Sequence, residues 1–90
     1  MTTRYIAIDT ETTGLQIRKG DRPFAVSLCD EQGKQHYFEW EIAPKSGRPR
    51  VSQQDVREIQ LLTDGKELVF HNYLFDIEAL ESIGCTFDWE

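Results

Sequence analysis

The sequence predicts a single α/β domain with a mixed sheet, whose elements follow in the order strand, strand, strand, helix, strand, helix. Three observations predict it: an apolar run near the N-terminus, two alternating segments joined by a polar turn, and a capped helix that precedes a further apolar segment. A hairpin followed by a helical crossover requires antiparallel and parallel strand pairs in one sheet. The length of 90 residues has room for one such domain.

The first three strands are predicted from apolar patterning. Residues 5–8 (YIAI) form a continuous apolar run, which is typical of a central strand covered on both faces. Residues 24–29 and 35–42 each alternate between apolar and polar side chains, and residues 30–33 (DEQG) favour a turn between them. These segments therefore predict an antiparallel hairpin with one polar face at the edge of the sheet.

The first helix has a predicted start and a predicted end. Ser52 is the expected N-cap, with Asp55 as a weaker capping-box partner and with Val51 and Val56 as a hydrophobic staple. Residues 64–65 (DG) favour the end of the helix. The helix is therefore expected to connect the hairpin to the next strand.

The last strand and helix place one acidic residue in an apolar setting. Residues 67–70 (ELVF) predict a buried strand, and Asn72 is the expected cap of a helix that ends before Gly84. At about 100° per residue, Asp76 shares the largely apolar face of this helix with Leu80. A buried carboxylate needs a cation, a basic partner or a ring of hydrogen-bond donors, and the helix dipole offers partial relief.

Charge and composition limit the class of protein. The net charge of −6 argues against a protein that binds nucleic acid through bulk electrostatics. Residues 1–50 have a net charge of +1 and residues 51–90 a net charge of −7. The basic side chains of Lys45, Arg48 and Arg50 either meet a phosphate backbone or belong to a solvated loop.

The sequence also carries signals about the compartment. Hydrophobic residues make up 39% of the chain, and no apolar run approaches the roughly 20 residues of a membrane span. The N-terminus shows no charged-then-apolar leader. We therefore expect a cytoplasmic protein that does not bind a membrane, in which Cys29 and Cys85 are two buried free thiols.

Two acidic residues stand where the first strand ends. Asp9 and Glu11 are two residues apart, so in extended backbone their carboxylates point to the same side. Like charges at this separation repel, and a divalent cation such as Mg²⁺ or Mn²⁺ is a natural partner for hard oxygen ligands. The alternative is a pair of solvated acids at an exposed strand end.

Two segments together resemble the first two motifs of the DEDD 3'-5' exonucleases, a family with an RNase H-like fold. Residues 5–15 (YIAIDTETTGL) resemble the first motif, and residues 71–76 (HNYLFD) resemble the second, Asn-x-x-x-Asp. Residues 23–30 (PFAVSLCD) also resemble the proofreading domain of phage and bacterial family A DNA polymerases. The resemblance implies a metal-dependent hydrolase that removes nucleotides from the 3' end of DNA during proofreading.

The resemblance implies a role for each matching residue. Asp9, Glu11 and Asp76 would be the catalytic ligands of two divalent metal ions that support in-line phosphodiester hydrolysis. Three further positions would bind the 3' end of single-stranded DNA: Thr12, Leu15 and Asn72. The alternatives are a core leucine for Leu15 and a plain helix cap for Asn72.

The resemblance covers only the first half of the family's domain. The family's third motif, Tyr-x-x-x-Asp or His-x-x-x-x-Asp, supplies a fourth acid, and fourteen residues follow Asp76 here. We therefore expect residues 1–90 to be the N-terminal part of one exonuclease domain, without its last strand and helix, with the rest of a DNA polymerase chain as partner. Phe87 and Trp89 would then be exposed, with Asp88 a weak candidate for the fourth acid. The alternative is a catalytically incomplete fragment that binds nucleic acid or protein.

Overall fold

A computed structural model of the protein describes residues 5–87, and the predicted order of strands and helices is confirmed. One 3-10 turn, Ile17–Lys19, lies between the first two strands. The strands and helices have the following bounds: β1 Tyr5–Thr12, β2 Pro23–Asp30, β3 Gln35–Glu39, α1 Gln53–Thr63, β4 Glu67–Phe70 and α2 Tyr73–Ser82. The chain is thus an α/β structure with four strands and two helices in the described range.

The four strands form one mixed sheet in the order β3-β2-β1-β4. The β1–β2 and β2–β3 pairs are antiparallel, whereas β1 and β4 are parallel. Because a parallel pair needs a crossover, α1 lies in the connection from β3 to β4. The predicted edge hairpin and mixed sheet are therefore confirmed, although β3 ends at Glu39 rather than near Ile42.

The prediction that β1 and β4 are covered on both faces is wrong. Their side chains alternate, so that Ile6 and Ile8 are buried while Tyr5 is 47% and Val69 49% exposed. Apolar residues on the exposed face, such as Ala7, hid this alternation in the sequence. The sheet therefore has a covered face that packs against the helices and an open face that carries Tyr5, Ala7 and Val69.

The hydrophobic core lies between the covered face and the two helices. It consists of Ile6, Ile8, Val26, Leu28, Trp40, Val56, Ile59, Leu80 and Cys85. Burial of a large aliphatic side chain contributes about 1.5–3 kcal/mol, so these contacts hold α1 and α2 against the sheet. Phe87 is half-buried against this core rather than exposed as predicted, and Asp88 and Trp89 lie outside the described residues.

The two ends of α1 confirm one predicted cap and correct another. Ser52 is the N-cap, and its hydroxyl accepts a hydrogen bond from the Asp55 backbone N–H at 3.3 Å. The carboxylate of Asp55 does not complete the capping box but accepts the indole N–H of Trp40 at 2.9 Å. A buried indole needs an acceptor, and this need prevails over the local cap. The helix ends at Thr63, before Gly65 with φ +71°.

Both cysteines are free thiols, as predicted, but only one is buried. Cys85 is 2% exposed in the core, and burial raises the pKa of its thiol to about 11. Cys29 lies on β2 and is half-buried. Between residues 5 and 87, no helix is long and apolar enough to cross a membrane.

Candidate functional site

Asp9 and Glu11 lie together on the open face of β1. Their Cα partners on β2 are Ser27 and Ala25, and both acidic residues are exposed. The parallel pairing of β1 with β4 ends at the pair Ile8–Phe70, so both acids project beyond the paired part of β4. The strand geometry thus presents two carboxylates side by side to solvent, as the sequence predicted.

Asp76 has the opposite environment. It lies in the first turn of α2 and is 2% exposed. Its Oδ1 accepts the hydroxyl of Thr10 at 2.6 Å, and its Oδ2 accepts the backbone N–H of Asn72 at 3.0 Å. A buried carboxylate needs a cation, a basic partner or hydrogen-bond donors. The structure supplies Asp76 with hydrogen-bond donors.

The Thr10 contact places Asp76 relative to the other two acids. Adjacent residues of a strand point to opposite faces, so Thr10 points to the covered face while Asp9 and Glu11 point to the open face. Asp76 therefore approaches the strand end from the covered side. Within residues 5–87, the structure forms no group of three or more His, Cys, Asp or Glu residues that could hold a metal ion.

The donor set fits a divalent cation in chemistry. Carboxylate oxygens are the ligands that Mg²⁺ and Mn²⁺ prefer, and Asp9 and Glu11 share a face that water and ions can reach. Each Asp76 oxygen accepts one hydrogen bond from the described residues, which leaves acceptor capacity on both oxygens. The structure thus brings Asp9 and Glu11 together on one face of β1. It holds Asp76 of α2 by a hydrogen bond to Thr10, the residue between them.

The predicted substrate-binding residues surround the same strand end. Leu15 is 83% exposed, which excludes the alternative of a core leucine. Asn72 is the N-cap of α2, as predicted, and its side chain makes no capping hydrogen bond within the described chain. Thr12 is half-buried, and its hydroxyl donates to the carbonyl of Gly14 at 2.7 Å.

A compact loop holds Leu15 beside β1. The carboxylate of Asp21 accepts the backbone N–H of Gln16 at 2.9 Å and the hydroxyl of Thr13 at 3.1 Å. A Cβ at Gly14 would collide with the carboxyl group of Asp21, so the loop closes this tightly only with glycine there. The loop thereby presents an apolar side chain to solvent.

A cavity of about 390 Å³ on the open face adjoins Asp9. Ser27, Cys29, Val69 and His71 are among the residues that line it. The parallel register pairs Ile8 with Phe70, so the next residues, Asp9 and His71, are neighbours. Sequence reasoning missed His71 as a site residue, and the signal that could have found it is this register, which becomes readable only once β1 and β4 are known to be parallel.

The residues of the basic cluster are all exposed. Arg50 forms an exposed ion pair with Glu41 at 3.2 Å, and Lys45 and Arg48 are also exposed. Ion pairs of this kind contribute little to stability. The arrangement agrees with the interpretation of a solvated loop.

Comparison with known proteins relates the chain to DNA polymerases. No protein-family model matches it. The chain is 33% identical over 82 residues to DNA polymerase DpoZ of Salmonella phage PMBT28, a match that covers 87% of this chain and 11% of that polymerase. The family B DNA polymerase of the hyperthermophilic archaeon Pyrobaculum calidifontis has a similar fold, with a TM-score of 0.58 at 17% identity over 94% of this chain and 12% of that chain.

Both matches cover only a small part of the polymerase to which the chain is similar. The chain spans about one ninth of the length of the polymerases that it resembles. The similarity of sequence covers 87% of this chain, while the similarity to the archaeal structure shows the fold alone. The chain is therefore homologous to a segment of a DNA polymerase.

Proposed function

We propose that the chain is the N-terminal part of a metal-dependent 3'-5' exonuclease domain of a DNA polymerase, which removes nucleotides from the 3' end of DNA during proofreading. The observation that carries the proposal is the pair of exposed carboxylates, Asp9 and Glu11, on one face of β1 beyond the end of its pairing with β4. The homology to a DNA polymerase supports a nucleic-acid substrate. The resemblance of the two motifs to DEDD exonucleases supports the type of reaction.

The residues have distinct proposed tasks. Asp9, Glu11 and Asp76 hold two divalent ions, which when bound activate water and stabilise charge on the phosphodiester. Without cations, the exposed carboxylates repel the phosphates of DNA, so substrate binding at this strand end depends on the ions. The proposal therefore requires both nuclease activity and DNA binding at this site to depend on metal.

The neighbouring residues orient the strand. Leu15 packs against the last bases, because its exposed apolar side chain has a rigid loop behind it. Thr12 contacts the terminal nucleotide through its backbone, and Asn72 contacts the strand through an amide that makes no capping hydrogen bond in the described chain. His71 lines the same cavity as Asp9 and can donate a hydrogen bond to a phosphate oxygen.

The test is digestion of a 5'-labelled single-stranded DNA by the full-length polymerase in Mg²⁺. We expect stepwise shortening from the 3' end by the wild type and its loss in Asp9→Asn. Glu58→Gln, which neutralises an exposed acid on α1, is the matched control and retains the wild-type rate. Equal rates in Asp9→Asn and the wild type would contradict the proposal.

A second candidate function is a catalytically incomplete module that binds nucleic acid or a partner protein. The observation that favours it is that residues 5–87 gather no cluster of three metal ligands. On this hypothesis the 90-residue chain binds its target equally well in Mg²⁺ and in EDTA. Metal-dependent cleavage of DNA by this chain alone would exclude it.

A further inference from the structure

The hydrogen bond between Thr10 and Asp76 joins the two halves of the proposed site. The donor and acceptor oxygens are 2.6 Å apart, although the residues are 66 positions apart in the sequence. This distance is short for a hydrogen bond between a hydroxyl and a carboxylate oxygen. Because Asp76 is 2% exposed, little water competes for its oxygen.

The position of Thr10 in β1 connects this hydrogen bond to the other two acids. Thr10 stands between Asp9 and Glu11, and the alternation of the strand sends its side chain to the covered face. Three consecutive residues therefore supply two carboxylates on one face and an anchor for the third carboxylate on the other. The hydrogen bond therefore links the Asp76 carboxylate on α2 to the end of β1 that carries the other two acids.

We propose that Thr10 is a positioning residue, whose hydroxyl fixes the Asp76 carboxylate relative to Asp9 and Glu11 and thereby sets the affinity of the site for divalent ions. The inference rests on the proposed function, since it assigns Thr10 to the same site. The Asn72 N–H holds the second oxygen of Asp76 at 3.0 Å, so Thr10 completes a two-point restraint. A carboxylate held at two points keeps its remaining lone pairs in one direction.

The fold offers a matched control. Thr63 is a buried threonine, and its hydroxyl, like that of Thr10, makes a part-buried hydrogen bond: it donates to the carbonyl of Gln60 at 3.0 Å within the last turn of α1. Its substitution by valine removes a hydroxyl from the interior without touching a carboxylate. Thr63→Val therefore separates the loss of a buried hydrogen bond from the loss of a restraint on Asp76.

The experiment measures Mn²⁺ binding to the full-length polymerase by electron paramagnetic resonance in the absence of DNA. The ions bound by the wild type and not by Asp9→Asn define the site. We expect Thr10→Val, which keeps the shape of the side chain, to weaken this binding about 10–100-fold, as loss of a partner of a metal ligand does. Thr10→Ser, which keeps the hydroxyl, and Thr63→Val should each stay within a few-fold of the wild type.

A double variant tests whether Thr10 acts through Asp76. Thr10→Val should have no further effect on Mn²⁺ binding once Asp76→Asn is present, because the restrained group is already altered. Additive losses would overturn the inference, as would wild-type affinity in Thr10→Val or an equal loss in Thr63→Val. If Thr10→Val does not fold, Thr10→Ala, which lacks the hydroxyl, is compared with Thr10→Ser, which keeps it.

The outcomes for the inference and for the proposed function are distinct. Mn²⁺ binding without DNA cleavage would contradict the exonuclease and leave the role of Thr10 supported by its own variants. Loss of cleavage in Asp9→Asn with unchanged Mn²⁺ affinity in Thr10→Val would overturn the role of Thr10 alone. A wild-type polymerase that binds no Mn²⁺ dependent on Asp9 would overturn both.

Discussion

The two faces of the sheet carry the same kinds of functional group in opposite environments. On the open face, Asp9 is exposed and Cys29 is half-buried. On the covered face, Asp76 and Cys85 are each 2% exposed. The difference shows that the side of the sheet on which a residue lies, rather than its type, decides whether an acid is hydrated or must be satisfied by the protein.

This contrast has an energetic basis. A buried carboxylate without partners costs several kcal/mol, and the Thr10 hydroxyl and the Asn72 N–H offset this cost for Asp76. The carboxylates of Asp9 and Glu11 remain hydrated and repel each other, so a cation that binds them gains from both charges. The open face therefore leaves its two carboxylates hydrated, whereas on the covered face hydrogen bonds fix the Asp76 carboxylate.

The largest expected effect is on catalysis by the open face. Glu11→Gln in the full-length polymerase should lower the rate of 3'-5' digestion about 100-fold or more, because it removes the charge of a proposed metal ligand. The rate is measured with single-stranded DNA in Mg²⁺. Glu39→Gln is the matched control, since Glu39 lies on the same face of β3 and shares the Cα partner Ala25 with Glu11. Equal losses of activity in the two variants would show that the negative charge of the face matters, and not Glu11 itself.

A smaller effect is expected on the free energy of unfolding, which should depend more on the buried Asp76 than on the exposed Asp9. Asp76→Ala should lower the free energy of unfolding by about 1–3 kcal/mol, because it leaves the Thr10 hydroxyl and the Asn72 N–H without their acceptor. Asp9→Ala should change it by less than about 0.5 kcal/mol, since the residue is exposed. Urea denaturation in EDTA measures both without a contribution from bound metal. A larger loss from Asp9→Ala would reverse the proposed division between the faces.

The smallest effect concerns the two cysteines at high pH. Burial raises the pKa of the Cys85 thiol from 9.0 to about 11, so between these values the unfolded chain releases this proton before the folded chain does. The stability that the neutral thiol contributes is present below pH 9 and is lost as the pH rises towards 11. Denaturant unfolding at several pH values should show a falling free energy of unfolding across this range.

Single substitutions assign this pH dependence. Cys85→Ala should flatten the slope of stability against pH, whatever its effect on absolute stability through the cavity that it leaves. Cys29→Ala, which removes a thiol that lies outside the core, is the matched comparison. An unchanged slope in Cys85→Ala would show that another group titrates.

The sequence predicted most of the architecture because its signals are local. Alternation identified the hairpin, Ser52 and the glycines after each helix marked helix ends, and the helical period placed Asp76 on a covered face. The side-by-side placement of Asp9 and Glu11 followed from the two-residue period of a strand. These features depend on neighbours within a few positions.

The features that the sequence did not predict depend on distant partners. Asp55 bonds the indole of Trp40 rather than its own helix end, and the donor that holds Asp76 is Thr10. Periodicity alone did not show which face of β1 would be covered, because Tyr5 and Ala7 are apolar but lie on the open face. Such choices are made by the packing of helices on the sheet.

The long span of the Thr10–Asp76 hydrogen bond has a consequence for folding. The contact spans 66 residues and needs α2 in place, so we expect it to form only once α2 has docked against the sheet. Before that moment the nascent strand end carries only Asp9 and Glu11, and the third acid is still distant. Acquisition of tight metal binding during refolding should accordingly trail the appearance of the sheet.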